Sequence, residues 1–210
     1  MTVAPRLEVV ELAELSHVGR VRTENQDRDL LAPPLIAVAD GMGGHQGGAV
    51  AAGMAVEALR RLGATPHPDA LRATLESANR EIREAAAGAP DRAGMGTTAT
   101  AGLLEDGRLH LAHVGDSRAY LLRDGALTQL TDDHSVVGEL VRSGGLTPEE
   151  AKGHPNRNVI TRALGAQAEV RIDTVDLELR PGDVVMLCTD GLTGYVDDEG
   201  AMADLVPLNP

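Results

Sequence analysis

Apolar positions along this chain recur first at a period of two, then of about 3.6, then of two again, and the changes divide it into elements. Leu7 to Leu15 mixes apolar and polar residues in a way that suits a first strand. Ile36-Ala37-Val38-Ala39 is an apolar run closed by Asp40 and a cluster of glycines, the pattern of a buried strand. From Gly48 the period is helical: Val50, Met54 and Ala58 lie with Ala51, Ala55, Leu59 and Leu62 on one face, and Gly63 closes the helix. A second helix over 69–87 places Leu71, Leu75, Ala78, Ile82 and Ala85 opposite Arg72, Glu76, Arg80, Glu81 and Glu84. Both helices have the pattern of half-buried covers over a sheet.

Strands then dominate. Thr97 to Leu104, Arg108 to Val114, Ala119 to Leu122 and Ala126 to Leu130 are joined in part by Asp106-Gly107 and Asp124-Gly125, two-residue turns that predict antiparallel hairpins. Thr131 to Ser135 caps a helix running to Val141, and Thr147-Pro148 opens a short one. His154 to Gly165 is too polar for a core element and too long for a tight turn, and reads as a functional loop. Val170 to Leu179 alternates, Pro181-Gly182 turns, and Val184 to Cys188 is a hydrophobic strand. An acidic, weakly helical stretch follows from about 197 to 206.

Composition narrows the possibilities. The 210 residues suit one domain with a sizeable core, but there is no Phe and no Trp, so that core is built from Leu, Val, Ile, Ala and Met. The stacking platforms used on single-stranded nucleic acid are missing. The 19 basic and 32 acidic residues leave a formal charge of −13, which repels nucleic acid and anionic membranes. Neither a signal segment nor a membrane-spanning run is present, so a soluble, cytoplasmic protein is expected. The single cysteine, Cys188, lies in an apolar run and reads as a packed thiol.

The chemistry is carried by carboxylates at strand ends: Asp40-Gly41, Gly115-Asp116 and Asp190-Gly191. One such pair is an ordinary turn with a solvated Asp. Three point to carboxylates meeting at one edge, where like charges need a countercharge. The oxygen-only donor set suits magnesium or manganese rather than zinc. The glycines around Asp40 suit close approach of backbone to ligand. Phosphate-loop alternatives fail: no Gly-Lys-Ser/Thr follows, and Gln46 breaks the spacing of a dinucleotide fingerprint. Upstream, Arg22 precedes Asp27 in a polar, turn-like stretch and offers the guanidinium geometry that binds phosphate.

In order, VRTENQD (21–27), VADGMGGHQGG (38–48), MGTTAT (95–100), HVGDSRAYLLRDG (113–125), LTDDHS (130–135), HPNRNVITRALG (154–165) and LCTDGLTGYV (187–196) resemble the motifs of the metal-dependent protein phosphatase family, type 2C (PPM), in its compact bacterial form. The resemblance implies an α+β fold, a central antiparallel β-sandwich flanked by helices in four αββα layers. It implies a serine/threonine phosphatase in which water bridging two manganese or magnesium ions attacks phosphorus directly. Asp40 would be shared by the two ions, with the Gly41 carbonyl on the first and Asp190 on the second. Asp116 would serve a weaker third ion together with Asp190. Asp27 would hold water, Arg22 would bind the substrate phosphate, and His45 would lie near the catalytic centre as a candidate general acid. A mobile flap over about 136–157, opened by His134 and Ser135, would shape access. The implied partners are Ser/Thr-phosphorylated proteins, among them a cognate kinase, and the implied state is a monomer.

The family pattern continues into a closing helix, an Asp-Asn motif and a last strand, which do not follow here. A single domain over 1–210, C-terminally incomplete, is therefore expected, with a weakened second cation. The competing expectation is a non-catalytic phosphoprotein-binding module.

Overall fold

The computed structural model describes residues 7–43, 47–63 and 67–196. Among the described residues, nine strands form two sheets. β1 (Asp27–Ala32) and β2 (Leu35–Met42) pair antiparallel, with Asp27 opposite Asp40. On the side of β2 away from β1, β3 (Gly96–Thr97) pairs with its end and β4 (Ala99–Glu105) with its first half, both antiparallel. β5 (Arg108–Val114) and the edge strand β8 (Asp173–Glu178) complete the larger sheet in the order β1-β2-β4-β5-β8. The smaller sheet has the order β7 (Ala126–Gln129), β6 (Arg118–Arg123), β9 (Val184–Cys188). The tight turns behave as their sequences require: Asp106 and Gly107 have φ of 47° and 75°, and Asp124 and Gly125 have φ of 53° and 79°. Those positive values match the right-handed twist of the flanking strands.

The helices α1 (Gly47–Arg60) and α2 (Pro68–Ala87) cover the outer face of the larger sheet. Ala51, Ala52, Ala55 and Ala58 of α1 meet Ala37, Ala39, Ala99 and Ala101 of β2 and β4, and small side chains on both surfaces let helix and sheet approach closely. Leu59, Leu71, Leu75 and Ile82 fill the remaining volume and are essentially inaccessible, each contributing roughly 1.5–3 kcal/mol of burial. Between the sheets, Leu109, Leu111 and Ala119 pack with Val175, Leu177, Val185 and Leu187. On the outer face of the smaller sheet, Tyr120, Leu122, Leu127 and Cys188 are joined, among the described residues, by Leu192 and Val196. The sandwich and its helical cover agree with the fold implied by the motifs.

Three expectations need correction. Leu7 to Leu15 is not a strand: it finds no pairing partner among the described residues, and Val10 and Leu15 are 96% and 95% exposed. The polar stretch ending at Asp27 gives way at once to β1, whose DRDLLA sequence hides a strand stabilised by its pairing with β2. The stretch 154–165 is not wholly a surface loop: Ala163 and Leu164 are buried, and Leu164 bridges to Thr97. The acidic stretch expected from 197 to 206 lies outside the described residues.

The span 136–157 contains α3 (Val136–Arg142) and α4 (Pro148–Lys152). Ser135 caps α3, accepting from the Gly138 N–H, and Thr147 forms a full capping box with Glu150 on α4. The base of this span is tied down: Val136 N–H donates to the Val159 carbonyl, Arg142 to the Asp133 carbonyl, and the Thr161 hydroxyl to Glu139.

Candidate active site

Four carboxylates come from four strand ends on one edge of the sandwich. Asp27 opens β1, Asp40 lies toward the end of β2, Asp116 follows β5, and Asp190 follows β9. β9 approaches β2 across the sheets, which brings Asp190 close enough to Asp40 to raise its carboxyl pKa. The Thr189 hydroxyl donates to Asp27 Oδ2 at 2.9 Å.

The Asp40 backbone is held on three sides. Its N–H donates to Thr98 Oγ1 at 2.9 Å, and its carbonyl accepts from the Thr98 N–H at 2.9 Å and from the Thr97 hydroxyl at 2.8 Å. The Thr98 and Ser117 hydroxyls share a hydrogen bond of 2.7 Å, which links the Asp40 support to the turn carrying Asp116. Thr97, Thr98 and Ser117 are fully buried. Sequence reasoning assigned no role to these hydroxyls, although polar residues in a strand otherwise facing the core, as in MGTTAT, are the signal that marks them.

The glycines answer to packing as much as to ligand access. A Cβ on Gly41 would stand 2.2 Å from the Gly48 carbonyl oxygen, and one on Gly48 would stand 2.7 Å from the Gly41 carbonyl carbon. The exit of β2 and the first turn of α1 therefore meet backbone to backbone, a contact open only to glycine. Gly115 has φ of +110°, and a Cβ there would meet the Thr98 side chain at 2.5 Å.

Crowding sets the electrostatics. Burial, then the charges of Asp190 and Asp27, push the Asp40 carboxyl up to about 8. Burial and the Asp190 charge push Asp116 up to about 6. Asp116 Oδ1 is buried without a hydrogen-bond partner. Among the described residues no three His, Cys, Asp or Glu side chains converge as a ready-made cation cage. The carboxylates are instead neighbours that repel one another, with one oxygen unsatisfied. A hard divalent cation relieves both conditions, and the donor set is entirely oxygen. The residues fit such an ion.

Of the residues singled out in the sequence, Asp27, Asp40, Gly41, Asp116 and Asp190 are brought together. Arg22 is not: it is exposed on the segment before β1 and makes no hydrogen bond or ion pair with the described residues. His45 lies outside the described residues. Asp190 is exposed, and Asp27, Asp40 and Asp116 are half-buried, so the cluster opens to solvent. A separate cavity of about 320 Å³ is lined by His113, Asp132, Arg171 and Asp173. It contains none of the four carboxylates, so the site is assigned from the charged cluster rather than from concavity.

The family described as protein phosphatase 2C matches residues 22–208. The chain is 40% identical over 193 residues to the serine/threonine phosphatase stp of Listeria monocytogenes, covering 86% of this chain and 77% of that protein. It is 46% identical over 195 residues to the serine/threonine protein phosphatase PstP of Mycobacterium tuberculosis, covering 91% of this chain but only 38% of that one. The crystal structure of the catalytic domain of PstP in complex with two manganese ions superposes with a TM-score of 0.81 at 42% identity, over 90% of this chain and 81% of that structure.

Proposed function

Because this chain belongs to the protein phosphatase 2C family, we propose that it removes phosphate from phosphoserine and phosphothreonine side chains of proteins by direct attack of water at the carboxylate cluster. It is a protein serine/threonine phosphatase, a hydrolase of phosphomonoesters. Asp40, the Gly41 carbonyl, Asp116 and Asp190 are the groups that would hold manganese or magnesium. Bound there, such ions supply Lewis acidity toward phosphoryl oxygen and lower the pKa of water toward neutrality.

The chain's own residues favour water as the nucleophile. The Ser117 hydroxyl is buried against Thr98. The Cys188 thiol is buried and pushed up to about 11. Neither is available for a phosphoenzyme, and the reaction proposed is a single displacement. A water oxygen bonds to phosphorus and gives up a proton, the ester P–O bond breaks, and the serine or threonine oxygen leaves and takes up a proton in its place. Asp27, which accepts from the Thr189 hydroxyl, is the carboxylate assigned to orient water. Arg22, exposed and without an internal partner among the described residues, is the guanidinium assigned to the substrate phosphate. His45 is assigned near the centre by its motif alone.

The open cluster suits a protein substrate, and Ser/Thr-phosphorylated proteins, including a cognate kinase, are the partners proposed. No helix among the described residues is long and apolar enough to cross a membrane. A cytoplasmic monomer, organised as one phosphatase domain with its flap over about 136–157, completes the reading.

The observation that carries it is the meeting of Asp27, Asp40, Asp116 and Asp190 at one edge of the sandwich, with Asp116 Oδ1 buried and unpartnered. The test is manganese-dependent hydrolysis of a phosphoserine or phosphothreonine peptide beside an Asp40→Asn control. Turnover that needs manganese and collapses in the control is expected. Turnover no higher than the control sinks the reading, and peptide binding without turnover favours a binding module instead.

A further inference from the structure

His134 joins three parts of the site that are distant in sequence. Its backbone N–H donates to the Gly115 carbonyl at 2.7 Å, and the Gly115 N–H donates back to His134 Nδ1 at 3.1 Å. These two bonds clamp the turn that presents Asp116. Because a backbone N–H can only donate, Nδ1 carries a lone pair. The proton of the neutral ring is then on Nε2, which reaches Asp173 Oδ2 at 3.1 Å. Asp173 is held in turn by Arg162 at 2.9 Å. The His134 carbonyl accepts from the Thr161 N–H at 2.8 Å. The next residue, Ser135, caps the first flap helix and bridges to Ile160. The imidazole is completely buried and packs against His113, with ring centroids 4.7 Å apart.

On the other side of the turn, Gly115 is pressed against Thr98 at a φ of +110°. The turn is thus gripped between Thr98, whose hydroxyl supports Asp40, and the His134 imidazole. Asp116 itself has a buried oxygen with no partner, so its aim depends on the backbone that carries it.

We propose that His134 is a positioning residue, holding the Gly115–Asp116 turn against the base of the flap so that the Asp116 carboxylate is aimed into the cluster. The inference rests on the reading of Asp116 as a cation ligand. It assigns to His134 a task beyond opening the flap: its ring holds the turn that carries Asp116, while its backbone carbonyl and the neighbouring Ser135 tie the same residue to the flap base.

The test uses the full chain. In metal-free protein, His134→Ala should raise amide hydrogen exchange at Gly115 and Thr161 together, while α1 and α2 stay protected. In calorimetric titration with manganese, His134→Ala should weaken the Asp116-dependent binding by about 10- to 100-fold, the usual cost of removing a group that orients a ligand. In an Asp116→Asn background the same change should cost less than about twofold, since its effect passes through Asp116. His134→Asn, which keeps an acceptor near the Nδ1 position, should recover most of the binding. His134→Gln, which reaches toward Asp173 instead, should not. If His134→Ala does not fold, the Asn and Gln variants decide the matter alone. Equal behaviour of those two, or an undiminished cost in the Asp116→Asn background, overturns the proposal. Manganese binding lost in Asp40→Asn yet indifferent to His134→Ala overturns the proposal alone. Binding unchanged by both Asp40→Asn and Asp116→Asn overturns the reading of the site and the proposal with it.

Discussion

Replacing Asp40 by Asn should stabilise the metal-free protein while abolishing its activity. The carboxyl is raised from 3.8 to about 8 in the folded chain. Below about pH 4 it is protonated in both states and contributes nothing to the pH dependence. As pH rises, the unfolded chain releases this proton while the folded one retains it, so stability is lost progressively up to about pH 8. The gap is about four pH units at roughly 1.4 kcal/mol each, on the order of 5 kcal/mol in all. Asn has nearly the same shape and no charge, so it escapes this loss. Urea unfolding in chelator should show Asp40→Asn more stable than the parent by at least ~2 kcal/mol at pH 8, with the difference vanishing near pH 4. Saturating manganese should narrow or reverse the order, since an ion at a hundred times its dissociation constant adds about 2.7 kcal/mol to the chain that binds it. Equal stability of the two proteins at pH 8 in chelator would refute the electrostatic account of the cluster.

Other parts of the structure give further expectations. Burial, reinforced by the neighbouring His134 imidazole, lowers His113 from 6.5 to about 4, so the unfolded chain takes up a proton first and stability falls as pH drops from about 6.5 to 4. His113→Gln should flatten that limb in thermal unfolding followed against pH. Arg118 grips Asp133 with two hydrogen bonds of 2.8 and 2.7 Å, tying β6 to the segment before the flap. Arg118→Ala leaves the mostly buried Asp133 without its cation and should cost about 3 kcal/mol by urea unfolding. Leu75→Ala, at a fully buried position between α2 and the larger sheet, should cost roughly 2–5 kcal/mol in the same assay. Gly115→Ala must force a Cβ into Thr98 at a positive φ, and should lower both stability and manganese affinity.

Much of this architecture was legible in the chain because local rules and tertiary demands agree. The Asp-Gly turns at 106–107 and 124–125 are dictated by their own backbone preferences, and the strands on either side follow. Helix α2 is amphipathic along its length, so its buried face could be named residue by residue. Asp40, Asp116 and Asp190 were visible because each closes an apolar run. What stayed hidden depends on distant pairing. β1 begins with Asp-Arg-Asp and is a strand because Asp27 lies opposite Asp40. Leu7 to Leu15 carries apolar residues suited to a strand but has no neighbour to pair with among the described residues. The service of Thr98 and Ser117 to Asp40 arises only when β4 and the turn after β5 come together, and no spacing along the chain encodes that meeting.

Calorimetric titration of manganese into the chelator-stripped protein at pH 7, in two buffers of different ionisation enthalpy, tests the central claim most directly. Asp40 holds a proton at that pH, and a cation bound by its carboxylate must displace it. The account predicts binding with release of about one proton, and for Asp40→Asn binding at least about tenfold weaker with no proton released. No binding heat, or binding that releases no proton and is indifferent to Asp40→Asn, would contradict it.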